Sequence, residues 1–301
     1  MECAEVPTWL SLLGYCHRQF RIARFVKKIL LRSGIYDLNR FVGAHHYIAT
    51  ITIRPGILIT LHLDDHIDNI IWWNGYYEKN PTRLFLDLLN PDDIVIDVGA
   101  NIGYYSILAA SRIGRGGKVY AFEPVSSIYR RLLANVGSFN AIQAQREACG
   151  NTTGKINMYV ADDTCSSGSR ISQPIEGHEL KRIEEVSMVR LDDAISEKTG
   201  VSVMKIDVEG YEPHVLAGAS ELIRSNPQIK IFIEVDDSLL RGAGSSPEKV
   251  FAQMAEFGLQ PWRIIEKNNA YILEPHRNYW NNENLVLFAR AEYLPRNLLG
   301  I

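Results

Sequence analysis

The sequence predicts an α/β fold, an open and mostly parallel sheet with helices on both faces, and three observations carry that prediction. Strand-like and helix-like stretches alternate through most of the chain. The run from Ile94 to Tyr105, IVIDVGANIGYY, reads as a buried strand, a glycine turn and a helix start in immediate succession. An acidic residue, Glu123, ends the next strand twenty positions after Gly103. Composition agrees with a globular chain: 46% of the 301 residues are hydrophobic and 22% are charged. A net charge of −3 gives no electrostatic case for nucleic acid or an anionic membrane as the main partner.

The elements follow in order. From Trp9 to Leu31, apolar residues recur at helical spacing among Arg18, Arg21, Arg24, Lys27 and Lys28, which predicts a basic amphipathic helix. Packing on the domain or on a second copy of the chain is its favoured role, and peripheral membrane attachment the minor one. No stretch of about 18 apolar residues appears, so no transmembrane segment is expected. Tyr47 to Leu63 alternates apolar and polar residues around Arg54-Pro55-Gly56, a β-hairpin. Residues 1–63 are thus read as an N-terminal helix and hairpin extension, and 64–301 as the main domain.

A helix starts at Asp64 or Asp65, breaks at Asn74-Gly75 and is followed by a second through Leu84 to Leu89. Core strands are expected at 94–98, 118–122, 142–147, 201–207, 229–235, 262–266 and 285–289. Helices are expected at 104–113, 126–138, 213–225 and 247–257. Between Gly154 and Leu191 the alternation changes to two strands around the polar stretch Asp162 to Gln173, read as an insertion with a loop that could cover a substrate. Cys3, Cys16, Cys149 and Cys165 lie far apart with no metal-binding spacing, which points to a reducing, cytoplasmic compartment.

The glycine turn is the natural seat of a nucleotide-derived cofactor, since Gly99 and Gly103 remove side chains that would keep a ligand from the backbone. Only these two glycines are present, and Asn101 stands where a dinucleotide fingerprint has its middle glycine. That weakens the pyrophosphate argument. A carboxylate at Glu123 can accept both hydrogen bonds of a ribose diol, so the remaining candidate is S-adenosylmethionine, which has a ribose and no phosphates. A nicotinamide-dependent oxidoreductase is the alternative enzyme class, and a non-catalytic binding protein the third.

DVGANIGYYS, VYAFEP, VRLDD, KIDVEGYEPHVLAGA and IFIEV occur in the order and spacing that resemble the FkbM family of S-adenosylmethionine-dependent methyltransferases, and upstream DDHIDNIIWWNGYYE resembles it too. The likeness covers approximately residues 60–290. It implies a class I methyltransferase (Rossmann-like) fold, with a seven-stranded, mostly parallel sheet whose last strand is antiparallel. It also implies methyl transfer to a small-molecule acceptor, most readily a hydroxyl on a sugar or secondary metabolite, with carboxylate or nitrogen acceptors as alternatives.

The candidate cofactor residues are Glu78, Asp97, Gly99, Asn101, Gly103, Tyr104, Ser106 and Glu123. Asp97 is expected to fix the turn or to meet the amino-acid tail of the cofactor. The candidate catalytic residues are Lys205, Asp207 and His214. Lys205 and Asp207 share a face by the period of two, with an ion pair as the plain alternative to catalysis. His214 has a pKa suited to base work, and a packing role as its alternative. Asp207 and Glu234 end neighbouring strands, a weak signal for a divalent ion, and no metal is assigned.

Overall fold

The computed structural model describes residues 47–160, 182–267, 270–276 and 283–300, together with residues 4–5, 11, 169 and 171. Packing separates two units, one of residues 1–79 with 162–167 and one of residues 80–161 with 168–301.

In the first unit, β1 (Ala4–Glu5), β2 (Tyr47–Arg54) and β3 (Ile57–His62) form a three-stranded sheet, with β2 and β3 antiparallel as the alternating pattern predicts. Helix α1 (His66–Asn74) begins where an aspartate was expected to start it. Asp65 Oδ1 accepts the amides of Ile67 at 3.0 Å and Asp68 at 3.4 Å, filling two of the donors a helix start leaves open. Gly75 stops the helix in a left-handed conformation, φ 78°. The basic stretch from Trp9 to Leu31 lies, apart from Ser11, outside the described residues, and so does the self-association expected of it.

The second unit contains most of α2 (Lys79–Asp87) and then the βα alternation. Its strands are β4 (Ile94–Val98), β5 (Lys118–Phe122), β6 (Ile142–Gln145), β10 (Val201–Ile206), β11 (Lys230–Val235), β12 (Gln260–Lys267), β13 (Ala270–Pro275) and β14 (Glu283–Ala289). They form one sheet in the order β13-β12-β14-β11-β10-β4-β5-β6. The pairs from β6 to β11 are parallel, and β14 is antiparallel to both of its neighbours, as expected for the last strand. All four residues from Val95 to Val98 are buried, so both faces of β4 are covered, as its β-branched run implies.

The parallel strands are joined by α3 (Tyr104–Ile113), α4 (Ser126–Val136), α6 (Glu212–Gly218), α7 (Ser220–Ser225) and α9 (Pro247–Glu256), with the short helices α5 (Leu191–Ala194) and α8 (Asp237–Gly242) at strand ends. One core joins Ile96, Val98, Phe122 and Ile206 of the sheet to Val215, Leu222, Val250 and Met254 of the helices.

Four features depart from the sequence expectation. Among the described residues the sheet has eight strands rather than seven, because β13 pairs along β12 from Lys267–Ala270 to Trp262–Pro275. The helix expected over 213–225 is two helices, divided at Ala219. The third strand ends at Gln145, after which β7 (Ala148–Cys149) leaves for a separate sheet with β9 (Arg182–Val189) and β8 (Gly154–Val160). The insertion is therefore a hairpin docked through Val125 and Ile128 onto the start of α4. Its polar stretch Asp162 to Gln173 is, apart from Ser169 and Ile171, outside the described residues. The helices α5 and α8 were not anticipated.

Candidate functional site

From β4 the chain runs outward through β5 to β6 and then returns to β10 on the other side of β4. The carboxyl ends of β4 and β10 therefore flank the point where strand order reverses, the crevice in which open α/β sheets bind ligands. The glycine turn and the Asp207 loop meet there. Gly99, at φ 77°, lies so close to β10 that a Cβ would stand 1.9 Å from the carbonyl oxygen of Asp207. Gly103, at φ 92°, would put a Cβ 2.8 Å from Leu132 Cδ1. Both glycines make room for the protein's own atoms, a stronger requirement than clearance for a ligand.

Two non-glycine residues sit in the left-handed region beside this junction, Asn101 at φ 52° and Glu209 at φ 56°. The Asn101 side chain accepts the Ile102 amide at 2.7 Å, and its own amide donates to Glu123 Oε2 at 3.1 Å. Glu123 Oε1 accepts the amide of Val125 at 2.9 Å. The carboxyl that ends β5 is thus hooked onto the turn that ends β4. Burial pushes its pKa up to about 7 against those two hydrogen bonds.

Asp97 lies at the end of β4, 1% exposed. Its Oδ2 accepts the Ser106 hydroxyl at 2.6 Å, which ties the strand to the first turn of α3, while Oδ1 is buried with no hydrogen-bond partner among the described residues. Burial raises its pKa and the Lys205 charge opposes the rise. Lys205 pairs across the sheet with Asp97, and its Nζ reaches Asp207 Oδ2 at 2.9 Å and lies 5.1 Å from the centre of the Tyr105 ring. Tyr104, buried beside Tyr105, packs edge-to-face on it. One buried cation therefore sits among Asp97, Asp207 and an aromatic face, the shared orientation that the period of two predicted.

His214 is brought to other neighbours. Its ring packs 4.2 Å from that of Tyr211, and burial with the charge of Lys249 holds its pKa below the usual histidine value. Glu78 belongs to the N-terminal unit, where it adopts a left-handed φ of 45°. Glu234, at the end of β11, feels the charges of Asp207, Glu209 and Glu212, and burial holds its carboxyl well above the ordinary range. Among the described residues no group of three or more His, Cys, Asp or Glu is arranged to hold a metal ion.

Sequence reasoning missed Glu212. It is 1% exposed, and its Oε1 accepts the amides of Val208 at 3.1 Å and Gly210 at 3.2 Å, closing the loop after β10. Burial pushes its pKa up to about 7. The available signal was an acid in a first helical turn ahead of proline, the pattern of a carboxylate that reaches back to open amides.

The arrangement fits a cofactor that carries an ammonium and a ribose. A buried carboxylate oxygen without a donor wants a cation, and a carboxylate at the next strand end suits a diol. A carboxylate such as Glu123 at the second strand end also serves the ribose of dinucleotide sites, whereas the buried Asp97 carboxyl beside the turn disfavours a pyrophosphate.

Residues 97–261 match the family described as methyltransferase FkbM domain. The 31-O-demethyl-FK506 methyltransferase FkbM of Streptomyces tacrolimicus is 30% identical over 200 residues, covering 52% of this chain and 74% of that protein. The AMB antimetabolite synthetase AmbE of Pseudomonas aeruginosa is 31% identical over 50% of this chain and 9% of its own length. The hexuronic acid methyltransferase AglP of Haloferax volcanii is 28% identical over 49% of this chain, and the match spans 59% of that protein. A SAM-dependent methyltransferase structure from Aquifex aeolicus aligns at 16% identity over 69% of this chain and 92% of that one, with a TM-score of 0.37, too low to add to the fold argument made from strand order.

Proposed function

The chain belongs to the FkbM methyltransferase family, and from that premise we propose that it is an S-adenosylmethionine-dependent O-methyltransferase acting on a hydroxyl of a sugar or secondary metabolite. The observation that carries the reading is the pair of buried carboxyls at neighbouring strand ends. Asp97 has an oxygen with no donor, matched to the ammonium of the cofactor's tail, and Glu123 has lone pairs left for the ribose diol. Gly99, Asn101, Gly103, Tyr104 and Ser106 shape the turn between them.

The bound cofactor supplies a methyl group on a positively charged sulfonium, ready for in-line displacement. What is left to the chain is to hold the acceptor, exclude water and take up the hydroxyl proton. Asp207, 31% exposed at its side chain, is the proposed contact for the acceptor, with Lys205 fixing its carboxylate from beneath. His214 is the second candidate base, since its lowered pKa keeps the imidazole neutral and able to accept a proton. The names of FkbM and AglP, one acting on an O-demethylated compound and the other on a hexuronic acid, support the acceptor class. The cysteine pattern supports a reducing, cytoplasmic setting.

Calorimetric titration with S-adenosylhomocysteine tests the first step: the native chain binds saturably and Glu123→Ala weakens binding. Absence of binding by the native chain overturns the reading. Mass spectrometry across a panel of hydroxylated and carboxylated metabolites, scored for one added methyl, then identifies the acceptor. The pH–rate profiles of Asp207→Asn and His214→Gln assign the base, because only loss of the true base removes the profile's lower limb.

A further inference from the structure

Helix α4 starts three residues beyond Glu123, and nothing in its own sequence caps it: Val125 is the N-cap and offers no side-chain hydrogen bond. The cap comes from the inserted hairpin. Glu184, on β9, accepts the Ser126 amide at 3.1 Å through Oε1 and the Ser126 hydroxyl at 3.1 Å through Oε2. Two arginines hold this carboxylate in place. Arg146 Nη2 donates to Oε1 at 2.8 Å, and Arg182 Nη2 lies 3.5 Å from Oε2 while donating to the Ser127 hydroxyl at 3.2 Å. The Glu184 side chain is 13% exposed, so water competes poorly for these bonds. Alongside them, Val125 and Ile128 share a buried apolar cluster with Met158, Val160, Val186 and Met188 of the hairpin.

The link between the end of β5 and the start of α4 is therefore gripped twice, at Val125 by Glu123 and at Ser126 by Glu184. We propose that Glu184 is a positioning residue of the cofactor site, fixing the start of α4 so that Glu123 is held at the geometry a ribose diol requires. This rests on the reading of Glu123 as the ribose contact. An anion at a helix start, doubly bonded to one residue, defines that residue's backbone. Without it the link samples more conformations, and apparent affinity falls by the fraction of chains in the competent one. Gly99 and Ala100, anchored on the Phe122 carbonyl, and Asp97, anchored by Ser106, make no bond to Glu184, and the turn meets it only through the Asn101 amide on Glu123.

The test is calorimetric titration of S-adenosylhomocysteine into the full chain and three variants, paired with hydrogen exchange. Glu184→Ala binds roughly tenfold more weakly than the native chain. Glu184→Gln, whose carboxamide oxygen still accepts the Ser126 amide, stays within about threefold. Glu185→Ala, on the same strand but solvent-exposed in an ion pair with Lys155, leaves binding unchanged. In the native chain the ligand protects peptides over 97–106 and 123–130. In Glu184→Ala it protects only the first. The proposal is overturned if Glu184→Ala binds like the native chain, if protection of both peptides is lost together, or if Glu185→Ala weakens binding as much. A native chain that binds no S-adenosylhomocysteine overturns the cofactor reading itself, a different result from any of these.

Discussion

Gly99→Ala separates two accounts of the glycine turn. If the glycine only clears space for a ligand, alanine leaves stability alone and weakens binding. The structure requires the opposite order, because the added Cβ would fall 1.9 Å from the Asp207 carbonyl oxygen and 3.4 Å from Val208 Cγ1. Two costs add. Holding an alanine at φ 77° costs about 1–2 kcal/mol, and forcing β4 and β10 apart costs about 1–3 kcal/mol more, for a total of about 2–5 kcal/mol. Against a usual net stability of roughly 5–15 kcal/mol this is a large fraction. Gly244 is the internal control. It lies in the same unit at φ 73° with nothing within 4 Å of a built Cβ, so Gly244→Ala carries the conformational cost alone. Urea unfolding of both variants, followed by tryptophan fluorescence, should put Gly99→Ala about 1–3 kcal/mol below Gly244→Ala. Equal stabilities, with cofactor binding lost only in Gly99→Ala, would refute the steric account and restore the ligand-clearance one.

Lys205→Met leaves Asp97 and Asp207 without their shared cation and should destabilise the chain by about 3 kcal/mol in urea unfolding at neutral pH, the deficit shrinking on acidification as buried Asp97, whose pKa is raised, takes up its proton. Glu123 and Glu212 have carboxyls pushed up to about 7 from 4.5, so the folded chain retains protons that the unfolded chain has already released. Their contribution to stability is accordingly full below about 4.5 and is lost as pH rises through about 7, and Glu123→Gln should flatten that decline by about 3 kcal/mol in unfolding series from acid to neutral pH. Because a ribose diol favours ionised Glu123, S-adenosylhomocysteine should bind with proton release and more tightly at about pH 8 than at about pH 6, seen by calorimetry in buffers of different ionisation enthalpy. The Cys149 thiol is buried and its pKa lies well above the ordinary value, so it should resist a thiol-specific disulfide reagent until the chain is unfolded.

Local signals carried much of this protein. The β-branched run of β4, the aspartate and glycine at the ends of α1, and the alternation around Pro55-Gly56 are readable because each depends on backbone propensity and periodicity within a few residues. The spacing to Glu123 and the missing middle glycine, with the ordered motifs resembling the FkbM family, gave the cofactor class, and the strand pattern gave the carboxyl-edge residues Asp97, Glu123, Lys205 and Asp207. The eighth strand was missed because β13 is defined by its pairing with β12, a partner that periodicity alone does not supply.

Tertiary structure decided what those residues do to one another. The sequence by itself determined that strands and helices alternate, that a glycine turn follows the first core strand, and that an acid ends the second. Only the fold places the Asp207 carbonyl where a Gly99 side chain would be, lays the Lys205 cation beside Asp97, and brings Glu184 from an inserted hairpin, 58 residues away in sequence, onto the first amide of α4. Periodicity reports which face a side chain occupies, whereas partners across strands and the desolvation that shifts carboxyl pKa values arise only when distant segments close around them.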